Sequence, residues 1–188
     1  MLKTRLALLL AALSLPVVAC ALDLTPQFAD VDADGLRMRL PYFQDGAKRV
    51  FIKPPVGWKI DGNSERANLS CEAAPRSTVT FTLSTKPVLP KNEAERKTLR
   101  DAMLALPGKE AMNVTLEADA PDPLPLNGWK TFAFRVSYDM ADMRLQKSVM
   151  LVKLNAIEEL QVTVTGPVQE FAKAAGAAMM CLRTWHKE

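Results

Sequence analysis

Alternation of apolar and polar residues predicts β-strands over much of the chain. In two segments apolar side chains occupy every second position, so they would share one face of a strand. These side chains are Leu36, Met38 and Leu40 in the first segment and Val79, Phe81 and Leu83 in the second. A short apolar run over 50–52 predicts another strand, which ends before Pro54–Pro55. Pairs that favour tight hairpin turns lie beside strand-like runs: Asp34–Gly35, Asp45–Gly46, Asp61–Gly62 and Asn127–Gly128.

Helical spacing interrupts the strands twice. The first helix is predicted to begin after Asn92, whose side chain can cap it, and Glu95 completes a capping box. Its apolar face ends at Leu106, ahead of Pro107–Gly108. The second helix is predicted to follow Pro167, with an apolar stripe formed by Val168, Phe171, Ala172, Ala175, Met179 and Leu182.

Further strands are predicted between the two helices, over 132–138, 149–152 and 160–165. A proline-rich link precedes them and is predicted to be irregular, because it contains Pro121, Pro123 and Pro125. The order of strands, helix, strands and helix predicts an α+β fold, in which helices pack on an antiparallel sheet. Residues 22–188 are predicted to form a single domain of this class.

The order of elements and several short motifs resemble the PsbP-like family, which includes bacterial envelope proteins. The motifs are Pro55-Val56-Gly57-Trp58, Gly128-Trp129, the strand 160–165, and Cys181-Leu182-Arg183-Thr184-Trp185. The resemblance implies an α/β/α sandwich with helices on both faces of the sheet. It also implies a non-enzymatic protein that binds a partner, and it carries over no functional residue.

The first twenty-one residues have the pattern of a secretion signal. Lys3 and Arg5 precede an apolar run over 6–15, which is about half the length needed to cross a bilayer. Ala19-Cys20-Ala21 supplies small residues for a signal peptidase, so cleavage after Ala21 is predicted. The alternative is a lipobox at 17–20, in which Cys20 is lipidated and holds the protein on a membrane. Export to the periplasm is predicted either way.

Charge and cysteine content narrow the function further. The chain has 24 basic and 21 acidic residues, and the predicted signal holds two of the basic ones, so the mature chain is nearly neutral. That balance argues against a nucleic-acid partner. Cys71 and Cys181 are the cysteines that remain after processing, and in an oxidising compartment they are predicted to form a disulfide.

The sequence contains no set of residues that predicts catalysis or a cofactor. Asp30-x-Asp32-x-Asp34-Gly35 copies the first half of a calcium loop, but the second half is missing, and an ordinary hairpin beside solvated carboxylates is predicted. His186 is the single histidine, which excludes a metal site with several histidine ligands. It is predicted to be a solvated residue at a helix end.

The leading prediction is therefore a non-enzymatic periplasmic accessory protein that binds an unidentified envelope protein through its surface. A basic cluster in the first hairpins is one candidate surface, comprising Arg37, Arg39, Lys48, Arg49, Lys53 and Lys59. Outward threonines on two strands form another, comprising Thr78, Thr80, Thr82, Thr163 and Thr165. The alternative function is transport of a small apolar ligand, held in a sheet–helix cleft lined by Met103, Phe132, Phe134 and Met179.

Overall fold

The computed structural model describes residues 22–33, 35–84, 88–122 and 126–188. The predicted signal with Cys20 lies outside the described residues, as do Asp34, Pro123 and Pro125. Eleven strands and two helices follow in chain order: β1 Leu22–Ala33, β2 Leu36–Asp45, β3 Lys48–Phe51, β4 Trp58–Gly62, β5 Arg66–Cys71, β6 Thr78–Ser84, α1 Glu93–Ala105, β7 Met112–Pro121, β8 Thr131–Met140, β9 Met143–Lys153, β10 Glu159–Pro167, α2 Val168–Arg183 and β11 His186–Lys187.

Two antiparallel sheets organise these elements. The larger has seven strands in the order β4-β5-β6-β10-β9-β8-β7, and the smaller has four in the order β1-β2-β3-β11. Neighbouring strands run antiparallel in both sheets. The described part of the chain contains two helices. The predicted α+β class, an antiparallel sheet with helices packed on it, is confirmed.

The seven-stranded sheet separates two apolar clusters because its strands alternate. Val162 and Val164 of β10 join Phe81 of β6 on the face that α2 covers. Phe134 and Val136 of β8 point to the opposite face, where they pack with Met103 of α1. Each helix therefore covers part of one face, and the sheet lies between them as an α/β/α sandwich.

The small sheet joins the core beneath α2. Phe43, Val50 and Ile52 are buried in the same cluster as the α2 face of the large sheet. Trp185 fills the junction, with its ring centroid 5.6 Å from that of Phe43. The Asn127 side-chain amide donates to the carbonyls of Leu182 and Trp185, so it satisfies backbone groups at the C-terminal end of α2.

The sequence-based prediction lacks β1, β4, β5, β7 and β11, and shifts in register interrupt two of these strands, β1 and β7. In β1 the shift lies between Asp23 and Gln27, around Pro26. In β7 one shift lies between Met112 and Thr115 and another between Leu116 and Ala118. The sequence-based interpretation of this segment was a loop that leads into the proline-rich link. A bulge moves the following side chains to the other face, and this hides the alternation.

Two details of the predicted elements are wrong. The buried face of α2 is rotated from the predicted stripe, because Ala174, Ala177 and Cys181 face the sheet while Val168 and Ala172 are exposed. Small residues on that face allow α2 to approach the sheet closely. The predicted Asp61–Gly62 turn is part of β4, and the reversal follows at 63–65.

An ion-pair network joins α1 to the edge strand β7. Arg96 Nε donates to Asp119 Oδ1 at 2.8 Å, and Arg100 Nε donates to Asp119 Oδ2 at 2.7 Å. The Arg96 guanidinium also lies over the Phe132 ring, 5.4 Å from its centroid. Burial alone would raise the pKa of Asp119, but hydrogen bonds from both arginines hold that pKa below its ordinary value.

We expect Asp119→Asn to lower the free energy of unfolding by about 1–3 kcal/mol, since it weakens two charged hydrogen bonds at a carboxylate that is 8% exposed. A lowered pKa in the folded state means that this contribution is present above about pH 4. It is lost as the pH falls through the folded-state pKa.

Urea unfolding at pH 7 and at pH 3 measures both effects, with the exposed Asp101→Asn in α1 as the matched control. Equal destabilisation by the two substitutions, or a loss that does not shrink in acid, would contradict this role for Asp119.

Candidate binding surfaces

A groove between the β1–β2 hairpin and β4 is the largest concavity described here, with a volume of about 610 Å³. This surface is called the hairpin groove. Apolar and basic side chains line it together, including Phe28, Met38, Arg39, Lys53, Trp58 and Ile60. Its volume is within the range typical of ligand-binding clefts, about 300–1,000 Å³.

One wall of the hairpin groove depends on a tight turn at 55–58. Trp58 N donates to the carbonyl of Pro55 at 3.1 Å, which closes the turn. Gly57 has a φ of +85°, a value that the third position of a type II turn requires and that other residues rarely adopt. The turn presents Trp58 to the groove and to the core at once, because its ring packs partly against the α2 cluster.

The hairpin groove carries positive charge that the described chain does not neutralise. Arg39 and Lys53 are exposed, and no described carboxylate lies within ion-pair distance of either one. The Arg39 guanidinium lies over the Phe28 ring, 5.2 Å from its centroid. Lys59 reaches Glu72 at 3.3 Å, but both side chains are highly exposed, so the attraction is weak.

Large apolar side chains extend the surface beyond the groove. Phe28 is 48% exposed, Leu36 at the hairpin tip is 68% exposed, and Val56 at the turn is fully exposed. Scattered exposed apolar residues are ordinary, but a group beside a cleft marks a binding site more often. The predicted basic cluster therefore divides: Arg39, Lys53 and Lys59 line the groove, whereas Arg37 bonds to Asp30 at 2.7 Å.

A second concavity of about 150 Å³ lies beside α2 and is called the α2 groove. Its floor is made of small side chains from β7 and β8, namely Ala118, Ala120 and Ala133. Met179 of α2 and Arg135 of β8 also line it. The Arg135 guanidinium lies over the Phe171 ring at 5.5 Å, and no described carboxylate forms an ion pair with it.

The predicted cleft lined by Met103, Phe132, Phe134 and Met179 is not formed. The first three side chains belong to the cluster that α1 covers, whereas Met179 packs on the opposite side of the sheet. The prediction failed because both helices have apolar faces, and spacing alone does not tell which face of a sheet each helix covers. The α2 groove is the sheet–helix cleft that the structure contains.

The aspartate motif lies on a strand pair. Asp30 and Asp32 of β1 stand opposite Arg39 and Arg37 of β2, and Gly35 at the turn has a φ of +78°. The Asp30 side chain is 50% exposed, in agreement with the predicted solvated carboxylates, and it forms an ion pair with Arg37. Within the described ranges no group of three or more acidic, histidine or cysteine side chains is placed to hold a metal ion.

His186 lies in β11 instead of at a helix end. It pairs with Phe51 of β3, and its ring stacks on that phenyl ring with centroids 5.4 Å apart. Nδ1 lies 2.9 Å from the carbonyl oxygen of Thr184. The helix stops at Arg183, and the chain then adds a short strand to the small sheet.

The predicted threonine surface is present on the large sheet. Thr80 pairs with Thr163 and Thr78 pairs with Thr165, so these side chains share one face of β6 and β10. Thr80 also donates to the Asn68 side chain at 3.1 Å. The face is flat, polar and partly hydrogen-bonded to itself, and it offers no pocket among the concavities described above.

Cys71 and Cys181 are not bonded to each other in the structure, so the disulfide between them stays a prediction. Glu170, in the first turn of α2, accepts hydrogen bonds from Arg76 N and Ser77 Oγ, and turns over 71–77 connect this contact to Cys71. Cys181 lies three turns further along α2, about 16 Å at 1.5 Å per residue. Disulfides join Cα atoms less than about 7 Å apart, so a bond would require the backbone to move.

No known protein family matches the sequence, and no curated protein is similar to it. Solved structures are similar in fold. LpqN, described as involved in cell envelope biogenesis of Mycobacterium tuberculosis, matches with a TM-score of 0.52 and 15% identity, over 86% of this chain and 90% of LpqN.

Two further structures match at lower TM-scores. The Ran-binding protein Mog1p of Saccharomyces cerevisiae has a TM-score of 0.47 and 12% identity, covering 86% of this chain and 96% of its own. PsbP (CyanoP) from Synechocystis sp. PCC 6803 has a TM-score of 0.45 and 9% sequence identity, and the match covers 91% of this chain and 95% of PsbP. Such identities concern the fold alone, and at that level the similarity to LpqN confirms the predicted PsbP-like α+β architecture.

None of the helices in the described part of the chain is long and apolar enough to cross a bilayer.

The two thiols are expected to differ in reactivity. Cys181 has no exposed surface, and burial raises the pKa of its thiol to about 12, whereas Cys71 is half-buried. In the chain that begins at Leu22 and so lacks Cys20, a thiol reagent at pH 8 should modify one group when the chain is folded and two when it is unfolded, as counted by intact mass.

Cys71→Ser is the matched control, since it should leave no reactive thiol in the folded chain and one in the unfolded chain. If the unreduced protein has no reactive thiol even after unfolding, then the disulfide predicted from the sequence does form. The expectation of two free thiols would then be wrong.

Proposed function

We propose that this protein is exported to the periplasm and acts there as a non-enzymatic accessory protein. It binds an acidic segment of an envelope protein through the hairpin groove. Cleavage after Ala21 releases it in soluble form, and lipidation of Cys20 is the alternative that would hold it on a membrane. The observation that carries the proposal is the coincidence of free positive charge and exposed apolar side chains at one groove.

The chemistry of the hairpin groove supports an acidic and partly apolar partner segment. Arg39 and Lys53 lack described carboxylate partners, so they are available to carboxylates of another molecule. Phe28 and Val56 supply apolar contact area beside those charges. Such a mixture of apolar centre and charged rim is typical of protein interfaces.

The lining of the groove also supports binding in place of catalysis. Its titratable side chains are Arg39, Lys53 and Lys59, and its described lining holds no carboxylate, histidine or thiol. General acid–base catalysis near neutral pH requires groups that titrate near that pH. The basic side chains that line the groove instead suit the binding of carboxylates of another molecule.

Export is supported by the signal pattern at 1–21, in which Lys3 and Arg5 precede an apolar run and the small residues Ala19 and Ala21 follow it. The similarity in fold to LpqN agrees with a role in the cell envelope, the setting named for that protein. These observations support a location in the cell envelope.

The partner can be captured by a photo-crosslinking amino acid at Leu36, in the native envelope. We expect a crosslinked species that disappears in Arg39→Glu/Lys53→Glu, because the reversed charges repel an acidic segment. Both substituted residues are exposed, so the fold should be unaffected.

Lys97→Glu/Lys173→Glu is the matched control, since it makes the same change in net charge at exposed positions on α1 and α2. It should leave the crosslinked species unchanged. A crosslink that survives charge reversal in the groove, or that forms equally from a probe at Lys97, would contradict the proposed surface.

The α2 groove supports a second candidate function, the carrying of a small apolar anion. Its alanine floor accepts an apolar body, and Arg135 is held beside it by the Phe171 ring. The fluorescent anion 1-anilinonaphthalene-8-sulfonate should bind there with increased emission. Ala120→Leu fills the floor and should abolish that signal, whereas the exposed Ala172→Leu should not. Equal emission from both variants would remove this candidate.

A further inference from the structure

The backbone nitrogen of Leu22 lies against a buried carboxylate. Leu22 N donates to Glu158 Oε1 at 3.1 Å, which joins residues 136 positions apart in the chain. Leu22 is 4% exposed and Glu158 is 6% exposed, so both residues are buried. Leu22 is also the first residue of β1, and it packs in the cluster beneath α2.

Glu158 is held in position by its own loop. Asn155 Nδ2 donates to Glu158 Oε2 at 2.6 Å, and Glu158 N donates to Asn155 Oδ1 at 2.9 Å. Both carboxylate oxygens therefore have one donor each among the described residues. No described lysine, arginine or histidine forms an ion pair with Glu158. A buried carboxylate with neutral partners alone is expensive in free energy.

The charged residues around this contact have other partners. A cavity of about 240 Å³ adjoins Leu22 and Glu158 and is also lined by Asp45, His186 and Lys187. Lys187 pairs with Asp45, and His186 Nε2 lies 3.4 Å from Glu188 Oε1. The basic side chains that line the cavity therefore contact carboxylates other than Glu158.

The sequence identifies the same nitrogen by an independent route. The small residues Ala19 and Ala21 predict peptidase cleavage of the bond between Ala21 and Leu22. Hydrolysis of that bond consumes water, leaves a carboxylate on Ala21 and converts the Leu22 nitrogen into an amine. Near neutral pH that amine takes up a proton, because α-amino groups have pKa values of about 7.7–8.0.

We propose that the α-ammonium group of mature Leu22 forms a buried ion pair with Glu158, so that removal of the signal completes the electrostatics of the core. This inference rests on the proposed export and on cleavage after Ala21. It assigns Glu158 as the receptor for the new N-terminus, at a position where the described chain supplies no other cation. A chain lipidated at Cys20 keeps the peptide bond at Leu22 and cannot form the pair.

Two purified chains test the proposal without any substitution in the core. One begins at Leu22 and the other begins at Ala21, each released from a fusion by a protease that leaves no extra residue. The second chain keeps a neutral amide at Leu22, so the comparison isolates the ammonium. We expect the Leu22 chain to melt at least about 2–4 °C above the Ala21 chain, as a stabilisation of about 1 kcal/mol would give for a chain of this size.

Glu158→Gln in both chains completes a double-mutant cycle. The glutamine keeps an oxygen acceptor but removes the charge, so the difference in melting temperature between the two chains should disappear. Equal melting of the two wild-type chains would overturn the inference even if a glutamine variant failed to fold. The inference would also be overturned if the two chains that carry Glu158→Gln still differed in melting temperature as the two wild-type chains do.

The exported protein separates this inference from the proposed function. An intact mass equal to that of a chain beginning at Leu22 agrees with the proposed processing. An intact mass equal to that of a chain with a lipidated Cys20 contradicts it. The stability comparison on purified chains has its own outcome in either case, since it does not depend on where the cell sends the protein.

Discussion

Packing of α2 against the large sheet is the contact on which the rest of the structure depends. The chain turns directly from β10 into α2 at Gly166–Pro167, where a Cβ on Gly166 would lie 2.1 Å from Ser77 Oγ. Glu170 then fixes the first turn by accepting hydrogen bonds from Arg76 and Ser77. A larger residue at Gly166 would force apart the two segments that this contact joins.

The small sheet takes its position from the same helix. Trp185, just beyond α2, lies between Phe43 of the small sheet and Trp129 of the loop before β8. Lys53 N donates to Thr184 Oγ1 at 2.8 Å, which ties the segment after β3 to the end of α2. One wall of the hairpin groove begins at Lys53, so the shape of that surface depends on a helix that does not line it.

Regular alternation and capping made much of the fold predictable. Val79 and Phe81 of β6 and the strands over 132–138 and 160–165 are in the predicted places, and Asn92 caps α1 as its spacing indicated. Such signals are local, because one strand or one helix turn contains them. Register shifts broke the signal in β1 and β7, and the choice of sheet face for each helix is a long-range property. The basic residues could therefore be identified from the sequence. That they lie beside Phe28 and Trp58 in one groove could not be predicted, because this depends on contacts between distant parts of the chain.

Arg39 shows how a stacked guanidinium prepares a surface before any partner arrives. Because its planar group lies over the Phe28 ring, the side chain has already lost much of the rotational freedom that binding would otherwise remove. Its N–H groups still point outward in the plane of the guanidinium, in the geometry that matches a carboxylate. A lysine at this position would keep the charge and lose the orientation. Selection of a partner by shape can thus begin at a single exposed side chain.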